Sequence, residues 1–315
     1  MKQRHNRSGG CRARSAILGV EIRAAREEKQ YGVRELARRI GVNPAQLNSW
    51  ESALRSPDTM DVAGILGALS VVGEQKQRIL EVARLAESEA VVLGQAEKPH
   101  HITTAETCAH MARSIVDWHP FLIPDIMRTR AYAEAALHLS AFPRKAVTDD
   151  LLNTRALAAI GHLHMNADVA VFIGERAITH TIGDPFLALQ QLRFLLLMTD
   201  PQRAPNVTIN IVPSHNGGTE QAFTRYYTHA GPITYVSHGF CGSFTLDHQE
   251  LYGAVIDQLA TTACNPRESA ILIEEHVQRL DRELGDTNRG VAEPRGDAGP
   301  ETRPPGDHES DPTRN

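Results

Sequence analysis

The residue types on one short amphipathic segment suit the recognition of DNA bases. In residues 43–51, Leu47 and Trp50 lie three positions apart, so both are expected to point inward on a helix. The opposite, outer face would meet base edges in a major groove, and it carries Ala45, Gln46, Asn48 and Ser49. The amides of Gln46 and Asn48 can pair with adenine, and the Ser49 hydroxyl can meet either type of base.

Two short helices joined by a tight turn would position these side chains. Apolar residues recur at helical spacing in the first helix, at Leu36, Ala37 and Ile40. Gly41 suits the left-handed backbone at a helix end, and Asn43 followed by Pro44 supplies an N-cap with proline at the first helical position. The second helix is therefore predicted to begin at Asn43, and a basic loop follows it.

Residues 33–57 resemble the lambda-repressor-like (XRE-type) helix-turn-helix family. That family usually ends its DNA-reading unit with Glu-x-Gly-x-Arg-x-Pro, and this chain has Glu51, Ala53, Arg55 and Pro57 in the same frame. Val33 and Pro44 replace glutamines that the family commonly uses on phosphate and base. The resemblance implies DNA binding, which we assign to Arg34, Asn43, Ala45, Gln46, Asn48, Ser49 and Arg55.

The charge distribution supports contact with DNA at the N-terminal end. Residues 1–57 hold twelve Lys or Arg and five Asp or Glu, a net charge of +7, which leaves −12 for residues 58–315 in a chain of net charge −5. Residues 1–16 are predicted to be a flexible basic arm suited to phosphates, with an ordinary solvated tail as the alternative. Its cations are Lys2, Arg4, Arg7, Arg12 and Arg14.

Length and composition indicate two domains in a cytoplasmic protein. The chain has 315 residues and 41% hydrophobic content, enough for two cores. No apolar run approaches the roughly 20 residues of a membrane helix, and the start lacks the apolar stretch of a signal peptide. The cysteines show no metal-ligand spacing and indicate a reducing compartment; they are Cys11, Cys108, Cys241 and Cys264.

The first domain is predicted over residues 17–93 as a five-helix bundle. Besides the two helices above, apolar spacing predicts helices at 18–29, 60–69 and 75–88. Residues 94–107 contain glycine, proline and polar groups without periodicity, so we predict a linker there. Residues 285–315 contain five Gly and five Pro with almost no large apolar side chain, which predicts a disordered tail.

The second domain, over residues 108–284, is predicted to be α+β. Its mostly antiparallel sheet is expected to carry helices on one side. In residues 207–213, apolar Val207, Ile209 and Ile211 alternate with polar residues, which is the period of a strand. Strands are predicted at 168–173, 177–182, 207–213, 223–229, 233–237 and 243–246. Helices are predicted at 131–139, 151–164, 185–198, 250–263 and 266–284.

This domain resembles that of actinobacterial XRE-type regulators with an antitoxin-like C-terminal domain. The segment PDIMRTRAYA matches one sequence motif of that family at Pro124, Thr129, Tyr132 and Ala133. Four further matches to motifs of the family, each weak by itself, follow in the same order along the chain. They lie at Gly174, Glu175 and Ile178; at Pro205, Asn206, Val207, Thr208, Ile211, Pro213 and Phe223; at Tyr235, Val236 and Ser237; and at Ser269 and Leu272. The resemblance implies a transcriptional regulator with a sensing or partner-binding domain, often encoded beside a small partner protein.

No enzyme or metal motif stands out in the second domain. Residues 239–244 lack the serine between glycines that a hydrolase nucleophile turn needs. His162 and His164 lie two apart near a predicted helix end, where a histidine more often interacts with the helix dipole than with a metal. We therefore predict no catalytic residues, no metal and no cofactor.

Aromatic residues cluster between positions 223 and 244. A pocket lined by Phe223, Arg225, Tyr227 and Tyr235 would suit a small amphipathic ligand. Ordinary sheet core is the alternative, because strand aromatics pack across neighbouring strands with or without a ligand.

The sequence as a whole predicts a sequence-specific, DNA-binding transcriptional regulator. Its second domain is expected to bind a partner protein or a small-molecule effector. A homodimer on double-stranded DNA is expected, joined through residues 75–88 or through residues beyond the linker, because one such unit covers only one half-site. The alternative is an enzyme or a protein-interaction module that retains a helix-turn-helix remnant.

Overall fold

The computed structural model describes residues 13–94, 100–139, 167–215, 219–239, 241–246 and 250–290. Residues 13–84, here called the head, form a helical bundle around one apolar core. Its helices are α1 Ala13–Glu28, α2 Val33–Ile40, α3 Pro44–Glu51, α4 Thr59–Ala68 and α5 Gly73–Arg84. Leu36, Leu47 and Ile65 are fully buried in that core, as their helical spacing predicts.

The helix ends in the head have the chemistry that the sequence indicates. Gly41 ends α2 at φ 72° and donates its N–H to carbonyls of the last turn. Asn43 caps α3, and its side chain accepts a hydrogen bond from the N–H of Ala45 at 2.8 Å. Asp58 and Asp61 form a reciprocal capping box on α4. The predicted start of α3 at Asn43-Pro44 is therefore confirmed.

The second region, here called the sheet domain (residues 90–290), is built on a mixed sheet. Its described strands are β1 Ala90–Gly94, β2 Ser114–His119, β3 Asp168–Gly174, β4 Val207–Val212, β5 Phe223–Thr228, β6 Gly231–Ser237 and β7 Cys241–Thr245. They are ordered β1-β7-β6-β5-β2-β3-β4. The β2–β3 and β3–β4 pairs are parallel, whereas the other four pairs of described strands are antiparallel. The predicted α+β class is confirmed, but the sheet is mixed and not mostly antiparallel as predicted, although most of its strands pair antiparallel.

Helices cover both faces of this sheet, not one as predicted. They are α6 His100–His110, α7 Arg130–Leu139, α8 Glu175–Thr179, α9 Pro185–Met198, α10 Leu251–Thr262 and α11 Pro266–Gly290. One face, with Val171, Ile209 and Tyr226, joins the main core. The other face packs under α10, where Leu259 meets a separate apolar cluster. Alternation along each strand divides the side chains between these two cores.

Several predicted elements differ from the structure. The segment predicted as the strand 177–182 instead forms α8, a single helical turn, because a short apolar pair such as Ala177 and Ile178 fits either element. Helix α6 occupies the second half of the predicted linker 94–107 and packs against α1. Strands β1 and β2 were not predicted.

The predicted ends of the chain need two corrections. The basic arm was predicted to extend to residue 16, but α1 begins at Ala13 and buries Arg14. The disordered tail was predicted from residue 285, but α11 continues to Gly290. Residues 1–12, the predicted helix 151–164 with its two histidines, and residues 291–315 lie outside the described residues.

Candidate functional site

The outer surface of α3 is the candidate DNA-reading face. Leu47 and Trp50 anchor the helix from below, with exposed fractions of 0% and 3%. On the other side Asn43, Ala45 and Asn48 are exposed. The structure therefore presents the predicted face to solvent on a helix that its core contacts hold in place.

Two of the residues predicted to contact DNA bases are less exposed than the sequence suggests. Gln46 and Ser49 are half-buried, and the Ser49 hydroxyl donates to the Gln46 carbonyl at 2.7 Å. That bond uses the hydroxyl proton within the helix, so Ser49 offers mainly acceptor lone pairs to a base. Asn48 is exposed whereas Gln46 is half-buried, so the Asn48 side-chain amide is the better placed of the two to reach a base.

The backbone conformation of the loop after α3 explains why the related family commonly has a glycine in that loop. Ala53 stands at that position with φ 56°, a left-handed conformation that favours glycine. Its N–H bonds the Trp50 carbonyl at 3.1 Å, and the N–H of Arg55 bonds the Ser49 carbonyl at 3.2 Å. These bonds turn the chain sharply and leave the Arg55 side chain exposed beside the end of α3.

Arg14 fastens this loop to the rest of the head. Its guanidinium donates to the Ser56 hydroxyl at 2.6 Å and to Glu87 at 2.7 Å. It also donates to the carbonyl of Ala83 at 2.6 Å. Arg14 was predicted to belong to a phosphate-binding arm; instead its charge is used inside the protein, because these acceptors surround it.

A buried ion pair fixes the end of α3 on α1. Arg26 Nε and Nη2 donate to the two carboxylate oxygens of Glu51 at 2.6 and 2.8 Å. Glu51 is only 2% exposed, and the hydrogen bond to it raises the pKa of Arg26. A two-point contact of this kind restricts rotation as well as distance, so α3 is held in one orientation.

Exposed arginines on α2 add positive charge to the head. Arg34, predicted as a contact, is exposed, and Arg38 lies one turn later on the same exposed face. Arg38 was not singled out from the sequence, although its spacing from Arg34 is the signal that could have found it. Arg39 instead donates to the Tyr31 hydroxyl at 2.5 Å and lies over that ring.

The turn between β5 and β6 reaches the base of the reading unit. The imidazole of His229 contacts the backbone of Gly19 in α1 and of Glu51 in α3, and burial lowers the pKa of His229. At Gly19 the two helices are so close that a Cβ would lie 2.6 Å from the Glu51 carbonyl oxygen. The sheet domain thus contacts the head at the end of its reading helix.

Of the four residues predicted to line a ligand pocket, Phe223 and Tyr235 reach one cavity at the carboxyl end of β2, whereas Arg225 and Tyr227 do not line it. Phe223 and Tyr227 belong to the cluster under α10, and the guanidinium of Arg225 lies 5.5 Å from the centre of the Tyr227 ring on that face. Tyr235 faces the main core, where its hydroxyl bonds His101 at 2.8 Å. The register pairs Tyr235 with Thr224, and consecutive residues of a strand point to opposite faces, which explains the division.

Comparison with known proteins agrees with this arrangement. Residues 22–71 match the family described as helix-turn-helix, so the head defines a DNA-binding regulator with an XRE-type helix-turn-helix. Residues 102–275 match the family described as a domain of unknown function (DUF5753), and the chain belongs to that family. No curated protein and no solved structure matches the chain. Across the described ranges, no helix is both long enough and apolar enough to span a membrane.

Proposed function

We propose that the protein is a cytoplasmic transcriptional regulator that recognises a specific DNA sequence through α3. The observation that carries this proposal is the exposed α3 face, held between Trp50 beneath it and the Arg26–Glu51 pair at its end. Arg34, Arg38 and Arg55 supply phosphate contacts around that face.

Replacing the two amides of α3 tests the proposal. A selection from random DNA duplexes by the full chain first defines the preferred sequence, and fluorescence anisotropy then measures affinity for that duplex and a scrambled one. The double variant Gln46→Ala, Asn48→Ala should lose about 1–3 kcal/mol for each bidentate base contact on the preferred duplex only. Gln77→Ala, which removes an exposed amide from α5, is the matched control.

The alternative functions make the opposite prediction in the same assay. An enzyme or a protein-interaction module that retains this unit has no reason to prefer one duplex over its scrambled counterpart. Equal affinity of the full chain for both duplexes would reject the proposal, and unchanged selectivity in the double variant would show that the reading face lies elsewhere.

We further propose that the regulator binds as a homodimer. Helix α3 has only eight residues, and Pro44 occupies a position where the related family commonly has a base-contacting glutamine. A single head therefore offers few specific contacts with DNA. Large apolar side chains of the head stay exposed, at Leu54, Met60 and Val72, and favour burial in an interface. Light scattering should give twice the chain mass, and footprinting should protect an inverted repeat with half-sites about 10 bp apart, or a multiple of that spacing. A monomer that protects one unrepeated half-site would contradict this.

The sheet domain is proposed to bind a small ligand or a partner protein. Its resemblance to antitoxin-like actinobacterial regulators supports a small partner protein encoded nearby. Its contact with the head through His229 supports a regulatory role, because anything that moves this turn acts on the end of α3.

A further inference from the structure

A cavity of about 200 Å³ opens at the carboxyl end of β2 in the sheet domain. The chain continues from β2 to β3 and β4 on one side and then returns to β5 on the other side of β2. In open α/β sheets, crevices outside the carboxyl ends of parallel strands where the strand order reverses are common ligand sites, and the parallel strands β2 and β3 both end at this edge. The cavity thus lies where this topology favours a ligand.

Asp117 is the buried carboxyl group of the cavity wall. It is 5% exposed, and its Oδ1 accepts a hydrogen bond from the Thr224 hydroxyl at 3.2 Å. Among the described residues, this is the one hydrogen bond made to its carboxyl group, and no ion pair joins it. A buried carboxylate normally has several donors or a cationic partner, so Asp117 is poorly compensated.

The other polar groups of the cavity do not neutralise Asp117. Arg128 donates to the carbonyl of Ile123 at 2.6 Å and forms an ion pair with Asp125, so its charge is already offset. His119 Nδ1 accepts from the N–H of Leu122 at 3.0 Å. That ring is neutral because burial, helped by Arg128, lowers its pKa to about 4. The cavity therefore carries a net negative charge whenever Asp117 is ionised.

Apolar groups and the available volume limit the size of a ligand. Leu122, Leu137, Phe223 and Tyr235 complete the wall around Asp117. A cavity of about 150 Å³ can hold a benzene molecule, so about 200 Å³ suits a ligand with one ring and a short polar arm.

We propose that this cavity binds a small organic ammonium ligand, with its charged nitrogen on Asp117 and its apolar body against Phe223 and Tyr235. This assignment rests on the proposed ligand-binding role of the sheet domain and gives that role a chemical class. The ligand supplies a positive charge in direct contact with Asp117, which no described residue provides, and its hydrogen bonds to the carboxylate are of the stronger, charge-assisted kind.

Calorimetric titration of the full chain at pH 8 with three probes of similar size tests the proposal. Phenethylamine, 2-phenylethanol and 3-phenylpropanoate differ in the charge of the polar arm. Phenethylamine should bind about 10-fold or more tighter than the alcohol, and the carboxylate should bind most weakly. Equal binding of amine and alcohol, tighter binding of the carboxylate, or no binding of any probe would overturn the assignment.

Variants connect the preference to Asp117. Asp117→Asn should remove the preference for the amine over the alcohol, whereas Asp168→Asn, an exposed position at the start of β3, should retain it. Amine preference that persists in folded Asp117→Asn would contradict the proposal. If that variant fails to fold, the relative affinities of the three probes for the unaltered chain decide whether the proposal holds. Sequence-selective DNA binding is measured in a separate assay. Its absence would reject the proposed regulator function but would leave the conclusion about this cavity unchanged.

Discussion

Glu51 in the head and Asp117 in the sheet domain are both almost fully buried carboxyl groups, yet their partners differ. Glu51 receives two hydrogen bonds from Arg26, one to each oxygen. Asp117 receives one from a hydroxyl, and burial together with nearby Asp125 raises its pKa to about 7. The head pairs the buried Glu51 internally and so fixes a shape, whereas no described residue forms an ion pair with Asp117, and the proposed ligand would supply that partner.

Removing the core support of α3 should have the largest effect on stability. Trp50→Ala should lower the free energy of unfolding by about 3–5 kcal/mol, since it deletes a buried indole that the surrounding helices cannot replace. Thermal and denaturant unfolding measure this loss. Leu54→Ala, at a position 79% exposed in the following loop, is the control and should change little. A comparable loss in both variants would argue against α3 resting on a packed core.

Breaking the compensated pair in the head should be nearly as damaging. Glu51→Gln leaves the buried Arg26 guanidinium with only the more exposed Glu27, at 3.5 Å, as an acidic neighbour, and we expect a loss of about 3–5 kcal/mol. Glu35→Gln on the exposed face of α2 removes the same charge without burial and should stay within about 0.5 kcal/mol of the unaltered protein. If the two substitutions cost the same, the Arg26–Glu51 pair does not fix α3 as described.

Replacing the Asp117 carboxyl group should change stability in the opposite direction to replacing Glu51. The folded protein keeps a proton on Asp117 up to a pKa of about 7, whereas an unfolded chain releases it near pH 4. Ionisation therefore makes Asp117 destabilising as pH rises through that window. Asp117→Asn should leave stability nearly unchanged at pH 4 and raise it at pH 8 by up to about 4 kcal/mol, since each pKa unit corresponds to about 1.4 kcal/mol.

Unfolding midpoints across this pH range measure the difference, with Asp168→Asn as the control. Among the described groups that bear on Asp117, Asp125 raises its pKa, Arg128 lowers it, and buried Tyr226 stays protonated. Destabilisation by Asp117→Asn at pH 8 would show that the carboxylate has a compensating partner, and the contrast with Glu51 would disappear.

The head could be predicted closely because its signals are local. Gly41, Asn43 and Pro44 each act on the backbone within a few residues, and apolar spacing sets the inner face of a helix without reference to the rest of the fold. The exposed face of α3 follows directly from that spacing. The partial burial of Gln46 and Ser49 does not, because it depends on neighbouring segments.

The sheet domain could be predicted only in part because its decisive contacts are non-local. Strand β2 is buried on both faces, so Ile115, Val116 and Trp118 show no alternation that would mark a strand. Without β2 the sequence gives no reason to single out Asp117. The aromatic cluster was visible in the sequence, but its division between two faces depends on the register of β5 and β6.

The β5–β6 hairpin joins two distant parts of the molecule. Phe223 and Tyr235 line the cavity at one end of the hairpin, and His229 lies against the head at the other. The six residues of β5 cover about 20 Å at roughly 3.3 Å per residue. If occupancy of the cavity changes DNA affinity by some factor, thermodynamic reciprocity requires that DNA change the affinity of the cavity by the same factor. The operator would then act as an effector of the ligand site, and a titration of phenethylamine with and without DNA would measure both directions of the coupling at once.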